Sequence, residues 1–561
     1  MPSVQTVKEK SPGSGVASSR ADQLVKEYQE ELGVRRNFEG YWQTLHDYFY
    51  IESPDVNKTY ATGNELDPSF LWDATTLEAA DVFASGFMNY LTPPTSHWSR
   101  LRHRDSELSA NKRVGDFFED VMSEVNFALN RSNFYDQMFP AYKSSGVYGT
   151  ACLFEEEDIE DDIRFYNMPI KQVVFRDDAK GRPYKFYLEF EYDAEQAAGK
   201  WGQSNLPQAL QQELKEGKGR NKKHKFILYI ATRHFREIQK EDKKNLPIEA
   251  TWVFVEGKEI IEESGYNEFP AFCHRFDKRP GIQWGYSPAM KTLPFARMLQ
   301  TIAKTNLRTM MKHTDPAVAV PHNAFIAPFN MNPRAVNYYK KTAMDSGKDI
   351  FAFGNYGDPQ VGLSAIEYYS MKVKTLMYHD VFLAFSNITK DMNNPEIMER
   401  INEKMTMLGP AVGRYLDEVI SPIVHRTIGI LSRRGKLPEA PDELMENPGY
   451  EIDFIGVLAQ AQRRTELNTL TTGLSMLGQM AQFNPEVLDK IDTDKVTNEV
   501  WAITGAPVKV LRDDDEVKRI REGRAEAAAK AEQAAMIQGG AAAAKDAGAA
   551  EASFAKAKEE Q

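Results

Sequence analysis

The segment Leu71–Leu101, LWDATTLEAADVFASGFMNYLTPPTSHWSRL, constrains this chain most, because it joins a helical repeat to a hard stop. Leu77, Ala80, Phe83, Ala84 and Phe87 recur at helical spacing, so one face of the helix is apolar. Ala79, Ser85 and Gly86 are small enough to let a neighbouring backbone come close. Pro93-Pro94 then ends the helix, since proline lacks the amide donor and restricts the residue before it. We expect this segment to build contacts between copies of the chain, with Gly86 at a close approach.

A second long helix is written much further on. Asn394 suits an N-cap and Pro395 a first helical residue, and Met398, Ile401, Met405, Leu408, Val412, Tyr415 and Val419 alternate three and four apart to form one apolar seam. Gly435 and Pro438 close it.

At 561 residues the chain exceeds one core, and two to four domains are expected. Its 42% hydrophobic and 27% charged content is that of a globular protein. Cys152 and Cys273 are too few for a disulfide framework, which favours a reducing compartment of assembly and small buried thiols. No apolar run approaches the ~20 residues that cross a bilayer, and the N-terminus lacks the apolar core of a signal peptide, so no membrane role is expected. Lys+Arg 69 against Asp+Glu 81 gives −12, which argues against a protein that grips nucleic acid over its whole surface. A locally adapted DNA channel is still compatible with that balance.

The order of pieces predicts an α+β fold. Residues 1–20 are Ser/Gly/Lys-rich and read as a flexible arm, and 21 to about 130 as helical. From Thr150 to about Phe272 come short strand-like pieces, KQVVFRD, YKFYLEFEY, KFILYIATR and ATWVFVEGKEII, interrupted by a polar helical insertion. Ser287–Thr314 holds five basic residues and no acidic one. Arg297, Lys304, Arg308 and Lys312 stand seven, four and four apart, so they share one face of a helix ~40 Å long. That face suits a polyanion or an acidic neighbouring subunit, and a plain solvated helix face is the alternative. Pro316–Ser364 is a small excursion with strand-like AVAVP and DIFAFG, a further helix runs from about Ala365 to Phe385, and SNITKDMNN breaks it. Short helices predominate from Tyr450 to Val510, and the last residues are an Ala-rich tail.

Enzymatic signatures are missing: there is no GxxxxGK[ST], no GxGxxG after a strand and no HExxH, so no catalytic residue, cofactor or metal is assigned. The ten histidines do not form ligand clusters. Glu155–Asp162, EEEDIEDD, lacks the glycine-spaced order of a calcium loop and reads as a solvated acidic loop.

Arg36, Phe38 and Trp42 followed by Leu71–Leu101, and then MERINEKMTMLGP, DEVISPIVHRTIGILSRRGKLP and YEIDFIGVLAQAQRR in that order, resemble the head-to-tail connecting (portal) proteins of short-tailed phages. The similarity runs roughly from Arg35 to Arg521, with Met392-Asn393-Asn394-Pro395 departing from the small-residue/threonine helix entry expected there. What the resemblance implies is a portal fold: wing over 21–285 (β-rich at 150–272), stem helices over 286–315 and 365–385 and a small α/β clip over 316–364. It further implies a tunnel loop over 386–394, a long wing helix and connection over 395–449, a helical crown over 450–521 and a tail over 522–561. It also implies a homododecameric ring at one capsid vertex of the virion, through which double-stranded DNA is packaged and ejected. Partners would be the major capsid protein, scaffolding protein, terminase large subunit and tail adaptor protein.

Asn387, Thr389, Lys390, Asp391, Asn393 and Asn394 would then line the channel, Lys390 touching phosphate and Asp391 limiting its grip. Phe325, Phe329, Tyr338 and Tyr339 would form the clip's docking surface, unless they only pack that small domain's core. Two rival classes are an internal or scaffold virion component without a channel, and a metal-dependent nucleic-acid enzyme.

Overall fold

The computed structural model describes residues 14–53, 71–105, 111–233, 246–314, 318–319, 351–352, 358–388, 408–446, 449–455, 457–481, 492–504 and 516–531, with isolated positions besides. The chain divides into two compact units, one of residues 1–98, 123–437 and 456–458 and one of 99–122, 438–455 and 459–561.

In the first unit, α1 (Ser14–Phe49) precedes α2 (Thr75–Leu91). The small and aromatic residues of α2 are buried as its spacing requires: Ala79, Ala80, Phe83, Ala84, Phe87, Tyr90 and Leu91 all face inward. Strand β1 (Ser99–Arg102) and helix α3 (Lys112–Arg131) come next in the chain. Helix α4 (Phe134–Tyr148) ends at Gly149, whose φ of 78° is one that a side chain would resist.

Two antiparallel sheets follow. β2 (Thr150–Asp158) and β3 (Asp162–Met168) form a hairpin, with β4 (Val173–Asp177) and β5 (Pro183–Asp193) after it. Helices α5 (Ala194–Trp201) and α6 (Gln208–Lys215) lead to β6 (Lys223–Thr232), β7 (Ile248–Phe254), β8 (Glu259–Tyr266) and β9 (Ala271–Arg275). The larger sheet has the order β4-β5-β6-β7-β8 and the smaller β3-β2-β9.

The near-continuous apolar run of β6 has a physical reason: its sheet is covered on both faces. On one, Ala21, Leu24, Val25 and Tyr28 of α1 pack against Val174, Tyr187, Ile227, Tyr229 and Val253. On the other, Trp201 of α5 lies 5.2 Å from both Phe226 and Trp252, ring centre to ring centre. The insertion that reads as an interruption in the sequence is therefore a lid on the sheet, started by an Asp193 capping box.

After β9 the chain enters α7 (Pro288–Thr314), and β10 (Val318–Ala319) pairs with β11 (Phe351–Ala352), bringing the two ends of the intervening segment together. Helix α8 (Pro359–Leu376) follows, then α9 (His379–Ile388). The expectation of one helix from Ala365 to Phe385 needs correction: Tyr378 has a φ of 59° and splits it in two. From Gly409 to Arg433 the backbone is helical throughout, as α10 (Gly409–Tyr415), a π turn (Leu416–Ile420) and α11 (Ser421–Arg433), and it stops before Gly435 at φ 66°. Leu408, Tyr415 and Val419 of the apolar seam are buried, whereas Met398, Ile401 and Met405 lie outside the described residues.

The second unit contains α12 (Asp442–Glu446), β12 (Glu451–Phe454), α13 (Val457–Ala481), α14 (Thr493–Thr504) and a helix over 516–531. β1 pairs antiparallel with β12, and Arg100 bonds Asp453 at 2.9 Å. Both strands fall in stretches expected to be helical. They form because SRLR and EIDF supply each other's hydrogen bonds and opposite charges across a long separation in sequence.

Candidate nucleic-acid interface

α7 begins beside a tight backbone crossing. A Cβ on Gly285 would collide with Gly149 and one on Gly149 with Gly285, so two glycines are required there. Ser287 donates to the Val147 carbonyl at 2.7 Å and accepts the Met290 amide at 3.0 Å, fixing the first turn. Pro294 is carried within the helix.

α7 and α8 pack as a pair. Gly362 leaves room for the Asn306 side chain, and Phe295 meets Tyr369 at 6.4 Å. Arg297, Lys304, Arg308 and Lys312 fall within an arc of roughly 80° at the helical rotation per residue, opposite the edge carrying Asn306. Arg297, Arg308 and Lys312 are exposed. Lys304 is half-buried, its ammonium 5.2 Å from the centre of the Trp72 ring. Gln300 holds that ring's backbone in place, accepting from the Trp72 and Asp73 amides at 2.7 and 3.1 Å and donating to the Asp73 carbonyl at 2.6 Å. Sequence spacing carried no signal for Trp72 or Gln300, since both contacts join residues more than 200 positions apart.

The other flank of the pair carries an exposed apolar stripe among the described residues. Val361, Tyr368 and Met371 of α8 are 70%, 55% and 65% exposed and stand seven and three apart, along one stripe. Met310 and Met311 near the end of α7 are exposed as well.

α9 is locked to the body. A Cβ on Gly86 of α2 would collide with the Phe382 side chain, whose ring meets those of Phe83 and Phe87 edge to face with centres 5.8 Å apart. The expectation of a neighbouring backbone from another copy at Gly86 needs correction: the space is filled by the Phe382 side chain of the same chain. At the α8–α9 break, Lys374 donates to Glu78 at 3.1 Å and holds that carboxyl below the usual range. Asn387 lies in the last turns of α9. Thr389, Lys390, Asp391, Asn393 and Asn394 lie outside the described residues, as do Phe325, Phe329, Tyr338 and Tyr339.

Buried ion pairs brace the body that carries these helices. Arg275 reaches Asp177 at 2.8 Å and Glu418, within the π turn, at 2.7 Å, while Glu418 also accepts the Arg275 amide at 3.0 Å. Arg426 lies against the Tyr266 ring, donates to the Glu268 carbonyl at 2.9 Å and stands 3.7 Å from Glu155.

The acidic run EEEDIEDD is the solvated turn expected of it only in its middle; both of its ends are buried. Glu155 is fully buried in β2, and the run turns between β2 and β3 with Asp162 paired to Arg434 at 2.8 Å and Lys436 at 2.7 Å. Burial pushes the Glu155 carboxyl up to about 8, against the opposing pull of Arg426 and the Thr427 hydroxyl. Among the described residues no group of His, Cys, Asp and Glu side chains could hold a metal ion, and no helix is long and apolar enough to cross a membrane.

The described fold is thus an α+β body with a helix pair that carries one cationic edge and one exposed apolar stripe. The chain matches the family described as bacteriophage head to tail connecting protein over residues 20–511, and it belongs to that family. It is similar to the portal protein of Salmonella phage epsilon15, 27% identical over 542 residues that cover 94% of this chain and 96% of that one. It is also similar to the probable portal protein of Bordetella phage BPP-1, 27% identical over 522 residues, covering 92% and 93%.

Proposed function

We propose that the protein is the portal of a phage head, a ring of identical subunits around a channel for double-stranded DNA. The observation that carries this reading is the α7–α8 pair. Its apolar stripe of Val361, Tyr368 and Met371 is largely exposed among the described residues, and its opposite edge gathers Arg297, Lys304, Arg308 and Lys312. A ring closes when one face of each subunit meets a different face of the next. Apolar surface of this kind is what a neighbouring subunit would cover.

The pair is the stem, the body before it the wing, and the segment between α7 and α8 the clip that docks the terminase large subunit and later the tail adaptor protein. The segment after α9, up to Asn394, is the tunnel loop, with Lys390 touching phosphate in passing. Residues 450–521 form the crown, and the ring is a dodecamer that contacts the major capsid protein and scaffolding protein. A chain with net charge −12 suits a channel that must let a polyanion slide, because every firm phosphate contact adds to affinity. The portal does no covalent chemistry; its work is containment and guidance.

Negative-stain electron microscopy of the purified protein tests this. Closed rings of twelvefold or near-twelvefold symmetry with an axial hole wide enough for a duplex are expected. Monomers or open filaments after assembly trials would overturn it.

A further inference from the structure

The chain has two cysteines in 561 residues, and the fold sets them face to face. β2 and β9 run antiparallel with Cys152 directly opposite Cys273, although 273 − 152 = 121 positions separate them in sequence. Two backbone bonds fix the type of site. The Glu155 amide donates to the Pro270 carbonyl at 2.9 Å, and the Phe276 amide donates to the Gly149 carbonyl at 2.9 Å. Those positions are hydrogen-bonded pairs, so strict alternation along the ladder makes 152/273 a non-hydrogen-bonded pair. Opposed Cα atoms at such sites are roughly 4.5 Å apart and their side chains closest, at the short end of what a disulfide spans. Both thiols are free and buried, with Met168 opposite Cys152 on its other side.

We propose that Cys152 and Cys273 are a latent redox pair that closes an intrachain cross-strand disulfide when the folded protein meets a low-molecular-weight disulfide oxidant. One cysteine, as thiolate, attacks a sulfur of the oxidant, releasing one small thiol and leaving a mixed disulfide. The second cysteine attacks the protein sulfur of that bond and releases the other small thiol. Two cysteine S–H groups are oxidised, one small disulfide is reduced to two thiols, and the cysteine protons end on those thiols.

Burial holds both thiols above their usual range, so the reaction waits on an opening of the sheet. β9 is an edge of its three-stranded sheet while β2 is central, so an opening at this pair separates β9 from one ladder and also breaks the Arg275 contacts to Glu418 and Asp177. Once formed, the bond would clamp the base of α7, because Gly285 donates to Thr150 at 2.9 Å and Ser287 to Val147 on the same side. This inference does not depend on the ring or its channel.

The test incubates reduced, folded protein with oxidised glutathione, quenches, denatures without reductant and counts thiols by alkylation and intact mass. Expected are loss of both alkylatable thiols, a mass lower by two hydrogens, and a non-reduced peptide joining Cys152 to Cys273. Dithiothreitol should restore both thiols. Thiols that stay alkylatable, two glutathione adducts, or crosslinks between chains would each overturn the proposal. As a second readout on the wild type, the oxidised form should melt a few degrees above the reduced form, since closing a long loop constrains the unfolded chain; an unchanged midpoint together with two alkylatable thiols would overturn the proposal.

Discussion

The α2–α9 contact and the α7–α8 pair are both helix against helix, yet they are finished differently. α2 offers Gly86 and α9 fills it with Phe382, surrounded by Phe83 and Phe87, so that contact is complete within one chain. α7 and α8 meet through Gly362 and Asn306 but leave Val361, Tyr368 and Met371 bare on one side and a row of cations on the other. A sealed contact stabilises a fold, whereas an open one stores binding energy for other molecules. Substitutions should divide accordingly: those in the body change folding, and those on the pair's outer faces change assembly while the protomer stays as stable as before.

The largest loss should come from Arg275→Met. It leaves Glu418 without its cation and Asp177 with Lys278 alone, and breaking a buried pair typically costs about 3–5 kcal/mol. A thermal melt of the body should fall by many degrees; an unchanged melt would mean that the π turn does not depend on that bond. Gly86→Leu comes next, with overpacking costs of about 1–3 kcal/mol as α9 is pushed from α2. Proteolysis near residues 379–388 should accelerate in that variant. If instead it forms no rings while melting like the wild type, Gly86 is also a subunit contact and the division drawn here is wrong at that point.

Glu155 gives a prediction in pH. Its carboxyl is raised from 4.5 to about 8 in the folded protein, so between those values the native state holds a proton that the unfolded state has released. The wild type should therefore lose stability as pH rises through that window, with the loss complete above about 8. Glu155→Gln, which stays neutral, should flatten that slope. A slope identical in the two proteins would place the proton elsewhere.

Much of the architecture was legible because it rests on local periodicity. The apolar runs of β5, β6 and β7 and the spacing of α2 and α7 follow from which faces are buried, and α+β character follows from their order. Features set by distant partners were not legible. Nothing in HDVFLAFSNI marks the break before it, since Tyr378 takes a left-handed backbone without glycine or proline. Glu155 sits in an acidic run that looks solvated, and its burial depends on Arg426, 271 positions away. SRLR and EIDF are too short to declare themselves strands until each has the other. At the interface, the spacing of Arg297, Lys304, Arg308 and Lys312 could be read directly, whereas Trp72 beneath Lys304 could not.

On the pair itself, Tyr368→Ser with Met371→Ser should leave the protomer's melt within about 0.5 kcal/mol of wild type, as exposed substitutions do. Ring yield should fall, scored by sedimentation and electron microscopy. Normal yield would show that the apolar stripe is not what neighbouring subunits cover.

The smallest effect on the protomer, and the sharpest question, belongs to Arg308→Glu. Arg308 is exposed and lies on the arc opposite the Asn306 edge, so reversing its charge should not move the melt. If the cationic edge faces DNA, rings should form normally and bind duplex more weakly, with a shallower dependence on salt because fewer counterions are released. If it faces an acidic neighbouring subunit, assembly should weaken first, and raising the ionic strength on wild type should mimic the variant, since screening acts on exposed charge pairs. The two outcomes separate a channel lining from a subunit seam, and they do so with one residue whose place in its own chain is not in question.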